Sequence, residues 1–140
     1  MQRATVITRW VVRIAGLVQI VLGLAFWSGN ALSLIPLHML IGMVVVLGLW
    51  FLVVFASRAG LRLAPVVLAF LLGLVVPVFG VAHIGLFPGQ WHWVVRLVHL
   101  ALGIGTLYVA DQLAEYVLRR GAREAARSDL SVGRSEHAIS

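Results

Sequence analysis

The residues in this chain best suited to chemistry are histidines, and four of the five, His38, His83, His92 and His99, fall within or beside long apolar runs. An ionisable side chain at membrane depth is costly and usually faces a bundle interior or cavity, so each is a candidate for function. His83 and His92 sit nearest the mouths of their runs, where an imidazole reaches water or headgroups, and are read as solvated. His38 and His99 lie deeper, and each has a glycine four residues on, Gly42 and Gly103, on nearly the same helix face. Two imidazoles converging from separate helices, each beside a wall without side chains, suit a flat, bulky cofactor. Haem b, gripped by two axial nitrogens inside a helical bundle, is the cofactor this pattern predicts. Arg96, three residues before His99, is a cation for outward-pointing propionates, or else an arginine snorkelling to lipid headgroups.

The elements that must position these side chains are membrane spans. Of 140 residues, 61% are apolar and 11% charged, with a mean hydropathy of +1.03. A soluble globular domain ordinarily carries about 25% charged residues. Four apolar runs, at about 9–27, 34–56, 64–84 and 91–118, each approach or exceed the ~20 residues that cross a bilayer. Pro36 and Pro65 open the second and third, where a missing N–H costs nothing. Residues 1–120 thus form one four-helix transmembrane domain, and 121–140, small and polar, are expected to be a flexible cytoplasmic tail that includes His137.

All eleven basic residues are arginine, and ten flank the spans at positions that share one side if both termini are cytoplasmic. The pI of 11.6 is therefore a topology signal for a multi-pass protein of the inner (cytoplasmic) membrane, and no nucleic-acid partner is expected. The tryptophans agree, with Trp27, Trp91 and Trp93 at the outer interface and Trp10 at the inner. No cysteine is present, which excludes disulfides, iron–sulfur clusters and covalently attached haem. Phosphate loops, nucleophile elbows and zinc-protease helices are likewise missing.

The two halves of the chain resemble one another. Gly16 to Gly23 in the first span matches Gly73 to Gly80 in the third at five of eight positions, and His38 with Gly42 matches His99 with Gly103. Both hairpins run in the same sense, so the fold predicted is an all-α antiparallel bundle built from two parallel-repeat hairpins, whose symmetry brings His38 and His99 face to face. The repeated glycines are expected to let neighbouring helices approach closely. Gln19, mid-span, is a hydrogen-bonding group toward a neighbouring helix or a ligand, and Asp111 is expected to pair with Arg13, Arg58 or Arg62.

Through His38, Gly42, His99 and Gly103, the chain resembles membrane b-type cytochromes, in which histidines on two helices of a four-helix bundle clamp haem. The resemblance is architectural and covers two short motifs. It implies an electron-transfer protein with one bis-histidine haem near the outer face, exchanging electrons between membrane quinol and an outer-side redox partner or serving as the haem subunit of a larger complex; the glycine-lined surface of so small a bundle also suits a homodimer. Respiratory cytochromes of this kind usually stack two haems across the membrane, and this chain has no histidine pair for the inner one. Two other readings remain open at this stage. One is a cofactor-free transport or assembly subunit; the other is an outward-facing copper or zinc module using His38, His99 and either His83 or His92.

Overall fold

A computed structural model describes residues 1–82, 85–86 and 89–139, with the side chains of 132–133 and 135–139 left aside. The described chain is all helical. Helix α1 runs Gln2–Trp27, a single 3-10 turn covers Leu32–Leu34, α2 runs Ile35–Arg58, α3 Leu63–Ala82 and α4 His92–Ile139. All four α-helices are long and apolar enough to cross a membrane. Pro36 stands in the first turn of α2. Gly60, at φ +84°, takes the left-handed conformation that reverses the chain after α2 and that a Cβ would strain.

Two helices outrun the expected spans. Helix α1 begins at Gln2, because the Thr5 hydroxyl donates to the Met1 carbonyl at 3.1 Å and Thr5 itself is fully buried. Helix α4 does not stop at 118; the stretch expected as a flexible tail continues it to Ile139. Composition underestimates such a segment, since a free helix must first meet the cost of nucleation, whereas this one only propagates a helix already formed. Alanines at 122, 125 and 126 and the i, i+4 pairs Glu115–Arg119 and Arg120–Glu124 support the extension.

Helix α2 packs against α1, α3 and α4, and α4 likewise meets the other three, so α2 and α4 form the middle of the bundle. The core lies toward the arginine-rich end. Leu49, Leu52, Val53 and Ala56 of α2 interlock there with Ala110, Leu113, Ala114 and Val117 of α4, joined by Val12 of α1 and Ala69 of α3. Glycines admit side chains from facing helices: Gly48 seats Val12, Gly16 seats Leu107 and Gly73 seats Trp50. The Trp50 indole N–H then donates to the Phe70 carbonyl at 3.3 Å. At the other end the packing is looser. Among the described residues of α2 before Val45, and of α4 before Thr106, only Val95 is fully buried.

An ion triad fastens α1 to α4. Arg9 makes a two-pronged contact with Asp111, Nε to Oδ1 at 2.7 Å and a terminal nitrogen to Oδ2 at 2.8 Å, and Arg13 donates to Oδ1 at 2.8 Å. A guanidinium fork matches the two oxygens of a carboxylate, which makes this the firmest polar link between helices. Of the three expected partners of Asp111, Arg13 is found; Arg9 takes the place anticipated for Arg58 or Arg62, because Asp111 faces α1.

Candidate functional site

At the loosely packed end, the first turns of α2 and the third turn of α4 bring His38 and His99 together. Their ring centres are 6.4 Å apart with planes inclined by 48°. The Nδ1 atoms of both rings are shielded from solvent. An aromatic ring lies beside each imidazole. Phe26 of α1 meets His38 edge-on at 5.3 Å, and Phe79 of α3 stacks on His99 at 6.1 Å and 14°.

Glycines on the flanking helices make room for the rings. A Cβ on Gly23 would lie 4.0 Å from His38 Cε1, and one on Gly80 would lie 3.2 Å from His99 Cε1. These are the second glycines of the repeated octapeptides, so each half presents a glycine of its first helix to the histidine of its second. Sequence reasoning gave them only a general packing role. The signal that marks them is depth: Gly23 stands four residues before the end of α1, and His38 stands in the first turn of α2.

The two glycines that follow the histidines differ. Nothing approaches within 4 Å of the point where a Gly103 Cβ would stand, so that side of α4 is open. Gly42 is covered: a Cβ there would lie 2.5 Å from Gln19 Nε2. Gln19 crosses Gly42 to donate a 2.7 Å hydrogen bond from Nε2 to the His38 carbonyl. Its Oε1 is buried and has no hydrogen-bond partner among the described residues. The wall beside His38 is therefore an amide, and Gln19 belongs to the site.

Arg96 is half-buried on α4 and forms no ion pair among the described residues. All five acidic residues of the chain lie at or beyond Asp111, so the histidine end has a cation and no carboxylate of its own. Trp91 and Trp93 are exposed. His92 reaches the Leu86 carbonyl through Nδ1 at 3.2 Å, and His83 lies outside the described residues. Among the described residues no three His, Asp or Glu side chains gather as a metal site would require.

Neither a protein-family model, nor a curated protein, nor a solved structure matches the chain.

Proposed function

We propose that this chain is a small integral-membrane haem b protein for electron transfer, with one haem held by His38 and His99. The observation that carries the reading is the meeting of two shielded imidazoles, from different helices, at the end of the bundle that is least tightly packed. The residues fit the group. Two imidazoles on opposite sides of one metal, each bonded at about 2 Å, have ring centres about 6 Å apart, and those of His38 and His99 are 6.4 Å apart. Phe26 and Phe79 flank the rings, Gln19 supplies an amide beside His38, and Gly103 leaves one side of α4 open.

When bound between His38 and His99, the haem would supply a one-electron iron couple. The protein's own residues then have separate tasks. Gly23 and Gly80 fix how closely α1 and α3 approach the rings. Gln19 holds the backbone of His38, and Arg96 offers a guanidinium to a propionate, the anion that the chain itself does not provide at this end.

In this reading the chain is an antiparallel bundle of two parallel-repeat hairpins in the cytoplasmic membrane, with both termini inside and the haem near the outer face. The clustering of ten arginines at one end supports that orientation. A lipid-soluble quinol is the donor that the membrane setting favours.

The test is the visible spectrum of the purified protein. A Soret band that sharpens and shifts on reduction is expected, abolished by His38→Ala or His99→Ala and kept in His137→Ala. A preparation that stays colourless after haem is supplied returns the chain to the cofactor-free transport or assembly reading; one that retains copper or zinc favours the metal module.

A further inference from the structure

Continuation of α4 beyond the bundle gives its arginines a common direction. At 100° per residue, Arg119, Arg123, Arg127 and Arg134 fall at about 0°, 40°, 80° and 60°, with Arg120 at about 100°. All five exposed guanidinium side chains therefore share one face, along about 22 Å of axis. Arg119 pairs with Glu115, and Arg120 with Glu124 at 3.1 Å. Arg123, Arg127 and Arg134 form no ion pair among the described residues. Asp129 points to the other side, at about 280°. In the midst of the basic face, at about 20°, stands Leu130, 75% exposed.

An unbroken helix gives these residues no hinge on which to fold back toward a lipid surface. Gly121, where a hinge would be easiest, lies inside an unbroken helix and is covered by Gln2, whose Nε2 reaches the Val117 carbonyl at 3.4 Å. If the Arg9–Arg13–Asp111 triad marks the edge of the hydrocarbon, Arg127 stands about 24 Å and Arg134 about 35 Å beyond it. Headgroups extend about 5–7 Å and physiological salt screens charge over about 8 Å. The distal arginines are out of reach of anionic lipid.

We infer that residues 119–134 form a docking face for a protein partner that presents a row of carboxylates around an apolar pocket, with Leu130 as the anchor. Charge complementarity calls for an acidic partner. Leu130 distinguishes among acidic partners, because an apolar side chain framed by charges matches the core and rim of a protein interface and offers nothing to a phosphate backbone. The inference rests on α4 crossing the membrane and not on the haem.

The test uses the full chain in nanodiscs of neutral phosphatidylcholine, with three fluorescent probes: a glutamate–leucine copolymer, polyglutamate and polyuridylate. The copolymer is expected to bind about tenfold tighter than polyglutamate, the return on burying one leucine. Leu130→Ser should erase that difference, and the combined Arg123→Glu, Arg127→Glu and Arg134→Glu variant should abolish binding of both. Neither variant touches the bundle core. Polyuridylate binding as tightly as the copolymer, or copolymer binding that survives the charge reversal, would overturn the inference.

Discussion

Two glycines that look alike in the sequence should respond differently to the same substitution. At Gly80 a new methyl group would stand 3.2 Å from His99 Cε1, whereas at Gly23 it would stand 4.0 Å from His38 Cε1. Carbon atoms rest at about 3.5–4.0 Å, so Gly80→Ala must push the His99 ring by about 0.3–0.8 Å while Gly23→Ala fills existing space. Replacing a helical glycine by alanine stabilises by about 0.5–1 kcal/mol. Overpacking a fitted site costs about 1–3 kcal/mol. Gly23→Ala should therefore raise stability by about 0.5–1 kcal/mol, and Gly80→Ala should fall about 1–3 kcal/mol below it. Equilibrium unfolding in mixed micelles, titrated with a denaturing detergent, reads both values. In the haem-loaded protein, only Gly80→Ala should move the Soret maximum. Equal stabilities and equal spectra for the two variants would refute the idea that the glycines are fitted to the imidazoles.

Other substitutions probe the rest of the account. Asp111→Leu removes a carboxylate that accepts three charge-assisted hydrogen bonds and leaves Arg9, with 22% of its side chain exposed, without its counter-ion. Solvent access moderates the loss to about 2 kcal/mol, measured by the same unfolding titration. Gln19→Leu gives up one hydrogen bond to His38 but also removes a buried acceptor without a partner, so stability should change by less than about 1 kcal/mol. Arg96→Gln should leave the fold intact while haem is lost several-fold faster to an apo-globin trap, and Arg96→Lys should restore only part of the retention.

The sequence is informative wherever a single residue type decides a boundary. Pro36 and Pro65 mark the first turns of α2 and α3, and four helices follow from apolar run length alone. The pairing of His38 with His99 is legible because a rare residue recurs in register between two halves rich in Leu, Val and Gly. Less legible are features that depend on what lies across a helix interface. Gly42 reads as open wall until the rotation of α1 brings Gln19 over it. Arg9 is not the evident partner of Asp111 because Arg9 and Arg13 of the first span, and Arg58 and Arg62 between the second and third, are equivalent in sequence. The extension of α4 is hidden for a different reason: residues 121–139 carry no apolar face to signal helix, and their order derives from the helix that precedes them.

Low-temperature electron paramagnetic resonance of the oxidised, haem-loaded protein addresses the histidine pair most directly. One low-spin ferric haem per chain, with the anisotropy of two imidazole ligands, is predicted, and its signal is lost in either His38→Ala or His99→Ala. A high-spin signal in the unaltered protein, or a low-spin signal that survives both substitutions, would contradict ligation by these two residues.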